Sequence, residues 1–205
     1  MNSEIILIGG GGHCKSCIDV IEQEGRTIAG IIEADINNKS HLLGYPVIGT
    51  DEDLPKLVGR YHCLITVGYI TQREPRIRLY KKLRDLNAIM PTIVSPRAYI
   101  SQHAKIGQGT IIMHGAIVNA GASVGNNCII NSHALIEHDA TIEDHCHIST
   151  GSIINGGSRI GRACFIGSQT MIREYINIKE NSLIGGGMSA LFDLPPNSVM
   201  KHKKK

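Results

Sequence analysis

The sequence has no long apolar segment: none of its 205 residues belongs to a run approaching the roughly 18 apolar residues of a membrane-spanning helix. Its start, MNSEIILIGGGGH, has neither the basic beginning nor the small-residue cleavage site of a secretory signal. A large charge excess is also lacking, because the formal net charge of +3 comes mostly from lysines between positions 201 and 205. We therefore expect a soluble, cytoplasmic protein that binds neither membranes nor nucleic acids.

A second pair of closely spaced cysteines, which a zinc site would need, is lacking as well. Cys14 and Cys17 form one CxxC motif, but no second pair follows that would complete a zinc site. In a reducing compartment we expect all six cysteines to be free thiols.

The first 88 residues alternate short apolar runs with helical stretches. Three runs are typical of buried strands: residues 4–8, 27–32 and 63–67. Two stretches are typical of helices: residues 13–24 and 75–87. This βαβ opening predicts a small, Rossmann-like α/β domain over residues 1–88, with a parallel sheet.

From residue 94 onward a different period holds. A Val or Ile occupies every sixth position, sixteen times without a gap, from Val94 to Ile184. In most repeats a small residue comes four positions later. This hexapeptide repeat predicts a solenoid over residues 91–190, in which three hexads close a triangular coil of 18 residues. The β-branched side chains point inward and the small residues fit the corners.

The same period makes two further predictions. Cys128, Cys146 and Cys164 are 18 residues apart, so we expect them to stack in one buried column. The segment LFDLPP, which begins at Leu191, breaks the hexad rule and is predicted to close the solenoid, as part of a cap and basic tail over residues 191–205. The repeat does not fix the hand of the coil.

Four histidines fall within the segment INSHALIEHDATIEDHCHIS: His133, His138, His145 and His147. A zinc site similar to that of the γ-class carbonic anhydrases needs a third histidine about two coils upstream. That position holds Arg97, and the nearest histidine is His103. We therefore expect no metal.

His138 fits a general base best among the four. It is the second residue after an inward-pointing isoleucine, hence at a bend, and the carboxylate of Asp139 follows directly. A neutral imidazole near pH 7 can take a proton from a substrate. Glu137 is an alternative partner for the imidazole, and a solvent-facing His138 without a function is the alternative interpretation. We expect His145 at the surface.

Four glycines, at positions 9–12, connect the first strand to the first helix. Bare backbone amides at a helix N-terminus can hold a diphosphate. The loop does not match GxGxxG, because Cys14 stands where the third glycine is needed, and a tight turn without a ligand is the alternative. Glu33 ends the second strand, where an acidic side chain can accept hydrogen bonds from a ribose or a base.

The uninterrupted hexads, the IGGGGH opening and the IEHD segment together resemble the sugar acetyltransferases of the left-handed β-helix superfamily. The sequence is most similar to bacterial nucleotide-diphospho-4-amino-sugar N-acetyltransferases, which include relatives described as sialic acid O-acetyltransferases. The resemblance covers nearly the whole chain. It implies left-handed coiling, a homotrimer, and an acetyl-CoA site between adjacent subunits.

The resemblance also implies individual roles. His138 and Asp139 match the catalytic base and its partner. Residues matching the sugar-nucleotide site are Gly11, Gly12, His13, Glu33, Gly68, Arg76 and Asn131. Arg76 could equally be a solvated helix residue. Residues matching the acetyl-CoA site are His147, Gly156, Ser168 and Gly186, and the missing side chain of Gly156 is expected to leave room for the pantetheine arm.

Two segments depart from the family pattern. The chain has Glu33, Ala34 and Asp35 where relatives more often have two consecutive aspartates, so the base of the nucleotide is not indicated. The Gly-Val-Pro-Ala turn of many relatives is absent at the C-terminus, and the basic tail is expected to lie near the CoA phosphates or to be disordered.

The leading hypothesis is therefore an acetyl-CoA-dependent N-acetyltransferase. Its substrate would be the 4-amino group of a nucleotide-diphospho-4-amino-4,6-dideoxy sugar. One alternative is an O-acetyltransferase that acts on a sugar hydroxyl, which would need the same base. Another is a sensor that binds a sugar nucleotide without catalysis.

Overall fold

The structure, a computed structural model, describes residues 4–34 and 40–202. The chain divides into two compact units, of which the first ends at Val94 and the second begins at Ser95. Within the described residues, no helix is both long enough and apolar enough to cross a membrane.

The first unit is built on a five-stranded sheet with the strand order β3-β4-β2-β1-β5. The strands are β1 (Ile5–Ile8), β2 (Ile28–Ile32), β3 (His41–Leu42), β4 (Tyr45–Gly49) and β5 (His62–Ile65), and a two-residue strand, β6 (Ile93–Val94), ends the unit. The helices are α1 (Gly12–Gln23), α2 (Leu54–Leu57) and α3 (Glu74–Asp85). Strand β1 lies in the centre and pairs in parallel with β2 and β5, which confirms the predicted βαβ opening.

The hairpin of β3 and β4 and the short helix α2 were not predicted. Strands β3 and β4 pair antiparallel around a two-residue turn, in which Leu43 has φ 49° and Gly44 has φ 86°. Two consecutive positive φ angles are typical of a type I′ turn. The sequence hides this turn because leucine stands at the position where Asn or Asp would have indicated it.

The second unit is a parallel β-helix with three flat faces, each made of two-residue strands. Face 1 contains β7 (Tyr99–Ile100), β10 (Ile117–Val118), β13 (Leu135–Ile136), β16 (Ile153–Ile154), β19 (Met171–Ile172) and β22 (Ser189–Ala190). Face 2 contains β8 (Lys105–Ile106), β11 (Ser123–Val124), β14 (Thr141–Ile142), β17 (Arg159–Ile160) and β20 (Asn177–Ile178). Face 3 contains β9 (Ile111–Ile112), β12 (Ile129–Ile130), β15 (His147–Ile148), β18 (Phe165–Ile166), β21 (Leu183–Ile184) and β23 (Val199–Met200).

The hexapeptide prediction is confirmed in detail. Neighbouring strands of a face pair in parallel, and from β7 to β22 the paired residues are 18 positions apart. The second residue of each strand is the inward one, and from Ile112 to Ile184 every such side chain is at most 3% exposed. The predicted column of Cys128, Cys146 and Cys164 is fully buried. Because β-branched side chains stack on their equivalents in the next coil, the repeat itself is the core.

Each corner of the β-helix contains one residue in the left-handed backbone region, three positions after the inward residue. From Gly109 to Gly187 every sixth residue has φ between 54° and 75°. Glycine, asparagine, aspartate and histidine tolerate this conformation best. This spacing explains two of the four clustered histidines, because His133 and His145 occupy left-handed corner positions. Asp139 occupies another such position.

The prediction that His145 lies at the surface is wrong. Its side chain is 5% exposed, and its Nδ1 lies 3.0 Å from Nδ2 of Asn127, one coil below. A side chain that leaves a left-handed corner folds back over the preceding coil, as His133 does over Gly115. His145 is thus part of the corner structure.

Hydroxyl and thiol groups at the small-residue positions connect successive coils. Each donates to the carbonyl oxygen 15 residues later: Ser152 to Gly167 at 2.8 Å, Thr170 to Gly185 at 2.7 Å, and Cys146 to Gly161 at 3.1 Å. These hydrogen bonds therefore stabilise the corners by joining each coil to the next one.

Replacing Ser152 by alanine should lower the free energy of unfolding by about 1 kcal/mol, because one buried hydrogen bond is lost. Urea unfolding measures this change. Ser189→Ala is the matched control, since Ser189 is exposed and its loss should change stability by less than about 0.5 kcal/mol. Equal effects of the two substitutions would show that the corner hydroxyls do not stabilise the coil.

The prediction that the LFDLPP segment closes the solenoid is wrong. Leu194 forms a bridge with Ile178, and β23 pairs in parallel with β21, so the chain adds a further coil. In this last coil the paired residues are 16 positions apart instead of 18. The segment breaks the hexad rule because it shortens one corner by two residues. Of the predicted basic tail, residues 203–205 lie outside the described residues.

Candidate active site

His138 stands at a turn between face 1 and face 2, as predicted. Its Nδ1 lies 2.9 Å from Oδ2 of Asp139, and the two side chains are 56% and 71% exposed. The left-handed backbone of Asp139, with φ 60°, turns its carboxylate toward the imidazole of the preceding residue. The contact fixes Nδ1 as the donor nitrogen, which leaves the lone pair of Nε2 for a substrate.

Glu137, the alternative partner, is engaged elsewhere. Its Oε2 accepts a hydrogen bond of 2.9 Å from Nδ2 of Asn119, one coil below. Asp139 is therefore the carboxylate that orients His138.

Gly156, one coil above His138, lies directly against the imidazole. A methyl group at this position would lie 2.6 Å from both Cε1 and Nε2 of His138. The space that a side chain at position 156 would need is thus occupied by the imidazole. Its missing side chain is what allows the ring of His138 to rest against the backbone of the next coil.

The candidate residues of the β-helix lie on two separate edges. His138, Asp139 and Gly156 belong to the edge between faces 1 and 2, which we call the base edge. The corners that contain Asn131, Ser168 and Gly186 belong to the edge between faces 3 and 1, which we call the opposite edge, and His147 lies beside it on face 3. Within one chain, face 1 separates the two groups.

The residues at the opposite edge form a polar cluster. Nε2 of His147 lies 3.5 Å from Nδ2 of Asn131, and its ring packs edge-on against Phe165 with 5.1 Å between centroids. The hydroxyls of Ser168 and Ser149 are 2.9 Å apart. Farther along, His202 contacts the carbonyl oxygen of Gly186 through Nε2 at 3.2 Å, which brings the start of the basic tail to this edge. The cluster offers several hydrogen-bonding groups to a ligand.

In the first unit the predicted glycine loop lies at the carboxyl ends of the central strands. Gly11 and Gly12 begin α1, are exposed, and have open space around their α-carbons. The amide of Gly10 is already used, because it donates to Oε2 of Glu33 at 2.7 Å. An anion at this helix N-terminus would therefore use the amides beyond Gly10.

Gly68 and Arg76 shape the neighbouring loop after β5. A side chain on Gly68 would meet Cβ of His13 at 3.2 Å, so His13 packs closely on this glycine. The structure excludes a solvated Arg76, because Arg76 is fully buried and donates to the carbonyl oxygens of Ile65 and Val67 at 2.7 and 2.9 Å. Arg76 thus holds the end of β5 in place.

A cavity that the sequence did not indicate lies beside Glu33. It has a volume of about 260 Å³ and is lined by Ala34, Thr50, Asp51 and Glu52. Asp53 holds one lining residue in place, because its carboxylate accepts the amide hydrogen of Thr50 at 3.0 Å, and this hydrogen bond is the main reason that the pKa of Asp53 is lowered. The lining is acidic and suits a ligand with N–H donors.

Neither a metal centre nor a reactive thiol was found in the described part of the chain. No three histidine, cysteine or acidic side chains there come together as metal ligands. Burial raises the pKa of the Cys63 thiol to about 12, and the pKa of Cys17 and of Cys146 is also raised, chiefly by burial. These cysteines are protonated core residues and do not act as nucleophiles.

Two protein families match successive parts of the chain. Residues 4–83 match the family described as PglD N-terminal domain. Residues 89–202, more than half of the chain, match the family described as GMPPB C-terminal domain. None of the curated proteins matches the sequence.

Several solved structures are similar over nearly the whole chain. A variant of perosamine N-acetyltransferase from Caulobacter crescentus, in complex with CoA and GDP-perosamine, is 29% identical, has a TM-score of 0.90, and is matched over 97% of this chain and 93% of its own. The acetyltransferase domain of PglB from Neisseria gonorrhoeae, in complex with acetyl coenzyme A, is 28% identical, with a TM-score of 0.89 and coverages of 97% and 96%. The similarities confirm the predicted fold class, a Rossmann-like domain followed by a left-handed parallel β-helix.

Proposed function

Because the chain belongs to the GMPPB C-terminal domain family and to the left-handed β-helix sugar acetyltransferases, we propose that it acetylates the 4-amino group of a nucleotide-diphospho-4-amino-4,6-dideoxy sugar. Acetyl-CoA is the donor. The observation that carries the proposal is the exposed imidazole of His138, oriented by the Asp139 carboxylate at 2.9 Å. We place the reaction in the cytoplasm, where acetyl-CoA and nucleotide sugars are available.

The reaction is a direct transfer. The sugar amine attacks the thioester carbonyl carbon, a C–N bond forms, and Nε2 of His138 takes the proton that the nitrogen must lose. Asp139 stabilises the imidazolium, as the oriented partner carboxylate. Collapse of the tetrahedral oxyanion breaks the C–S bond, and the leaving CoA thiolate takes the proton from the His138 imidazolium, which returns the base to its neutral form. The products are the 4-acetamido sugar nucleotide and CoA.

The separation of the candidate residues on two edges supports a shared site in a homotrimer. His138 lies at the base edge of one subunit, and the cluster of Asn131, His147 and Ser168 lies at the opposite edge. If face 1 of each copy packs toward its neighbour, the base edge of one subunit meets the opposite edge of the next. Acetyl-CoA then binds between them, with Ser168 and Gly186 along its path.

Face 1 has the surface that such packing needs. Its outward residues form an apolar column 18 residues apart, in which Tyr99 is 59% exposed and Ile117 and Ile153 are each 38% exposed. The equivalent column of face 2 begins with Lys105 and contains Arg159. An exposed apolar stripe of this kind favours burial against another copy.

The first unit supplies the nucleotide site. We assign the diphosphate to the helix N-terminus at Gly11 and Gly12 and the ribose to the neighbourhood of Glu33. The base would occupy the acidic cavity lined by Asp51 and Glu52. Guanine fits this lining well because it presents an N–H and an amino group to carboxylates.

The test is an acceptor screen. The protein is mixed with acetyl-CoA and with GDP-, UDP- or dTDP-linked sugars that carry either a 4-amino or a 4-hydroxyl group, and CoA release is followed. We expect CoA release only with 4-amino acceptors, and fastest with GDP. Release with hydroxyl acceptors would favour the O-acetyltransferase alternative, and no release with any acceptor would favour the sensor.

A further inference from the structure

Tyr175 carries an exposed ring on a strained backbone. Its φ of 58° lies in the left-handed region, where a bulky side chain is a rare outlier. Its side chain is 72% exposed, so burial does not compensate for the strain. Strained conformations of this kind cluster at functional positions.

The ring of Tyr175 rests against the backbone position that follows the one contacted by the imidazole of His138. A methyl group on Gly157 would meet Cδ1 and Cε1 of Tyr175, the latter at 2.5 Å, while a methyl group on Gly156 would meet the imidazole. Because consecutive Cα atoms are about 3.8 Å apart, the two rings rest on neighbouring backbone positions. The amide of Tyr175 also donates to the carbonyl oxygen of Gly156 at 3.0 Å. Tyr175 thus places a second ring on the same turn, Gly156–Gly157, that the imidazole contacts.

Exposed apolar side chains continue from Tyr175 along the base edge. Leu191 and Phe192 directly follow β22 of face 1 and are 46% and 63% exposed. Successive coils are about 4.8 Å apart, so these residues lie roughly 14 Å above the level of His138. A long, slender ligand whose reactive end is at His138 would have apolar contacts along this length.

We propose that Tyr175 contacts the acyl donor and that its ring packs against the thioester end of acetyl-CoA. The proposal rests on the proposed function, which makes acetyl-CoA the donor. It adds a residue that the sequence did not single out. The ring is assigned to the donor and not to the sugar because exposed apolar side chains lie two and three coils above His138, at Tyr175 and Phe192. The long arm that carries the thioester can contact both levels, whereas a single sugar ring cannot.

The test uses substitutions that remove the ring without harming the fold. Glycine adopts the left-handed conformation without steric cost, so the melting temperature of the Tyr175→Gly variant should not fall. Dissociation constants for acetyl-CoA are measured by calorimetry, and KM values for both substrates by CoA release. We expect Tyr175→Gly to weaken acetyl-CoA binding about tenfold, the size of one aromatic contact, with KM for the sugar nucleotide unchanged. Tyr175→Phe, which keeps the ring, should stay within about threefold of the wild type.

Ala163→Gly is the matched control, because Ala163 has φ 59° at the edge between faces 2 and 3 and is fully buried. This substitution also places glycine at a left-handed position, but it removes no ring. It should change neither the dissociation constant for acetyl-CoA nor the KM for the sugar nucleotide. The proposal is overturned if Tyr175→Gly raises only the KM of the sugar nucleotide, changes neither constant, or dissociates the oligomer. If the wild type binds acetyl-CoA but acetylates no 4-amino sugar, the proposed function fails, while the calorimetric comparison still tests Tyr175.

Discussion

Replacing His138 by alanine should lower kcat by about 10²- to 10⁴-fold, the contribution of a positioned general base. The reason is that the amine cannot shed its proton as the C–N bond forms. Binding of both substrates should be largely kept, because the imidazole is 56% exposed at the surface of a corner and supports no core contact. Steady-state turnover with a 4-amino sugar nucleotide and calorimetric binding of CoA measure the two effects.

His145→Asn is the matched control for this substitution. His145 belongs to the same histidine cluster, but it occupies a left-handed corner between faces 2 and 3, away from both edges, and asparagine tolerates that conformation. We expect its turnover within about threefold of the wild type, which corresponds to a barrier change below about 1 kcal/mol. Near-normal turnover of His138→Ala would remove His138 as the base.

Replacing Gly156 by alanine should lower kcat by roughly 10²-fold while stability changes little, since a small displacement of a catalytic group can cost that much. The added methyl group would lie 2.6 Å from the imidazole and must push the ring of His138 aside. Gly156 does not have a left-handed backbone, so the substitution adds no backbone strain. If Gly156 instead made room for the pantetheine arm, the substitution would raise KM for acetyl-CoA and leave kcat nearly unchanged.

A double-mutant cycle separates displacement of His138 from general damage. In a protein that already has His138→Ala, the Gly156→Ala substitution has no ring to displace and should lower kcat no further. An equal loss in both backgrounds would show that Gly156 acts independently of His138.

The β-helix could be predicted almost completely from the sequence, because its core consists of the repeat itself. Each inward isoleucine needs only its equivalent 18 residues away, so spacing determines both register and burial. The last coil could not be predicted, since its 16-residue spacing depends on how the LFDLPP segment packs and not on the hexad rule. The turn at Leu43 was missed for a similar reason, because its residue type does not indicate its conformation.

The part of the site that consists of residues adjacent in sequence could be predicted. The part that depends on contacts between successive coils could not. The His138–Asp139 pair is adjacent in sequence, so a bend was enough to place it. The contact of His138 with Gly156 and the position of Tyr175 depend on side-chain directions that spacing does not give. Arg76 could not be placed because its helix position alone does not reveal that the guanidinium is buried against two carbonyl groups.

The most direct test of the central claim is a crystal structure of the protein with CoA and its 4-amino sugar nucleotide. The account predicts that the sugar nitrogen lies within hydrogen-bond reach of Nε2 of His138, about 2.6 to 3.2 Å, and that Nδ1 stays on Asp139. A sugar amine bound far from this imidazole, or an imidazole that ligates a metal ion, would contradict it.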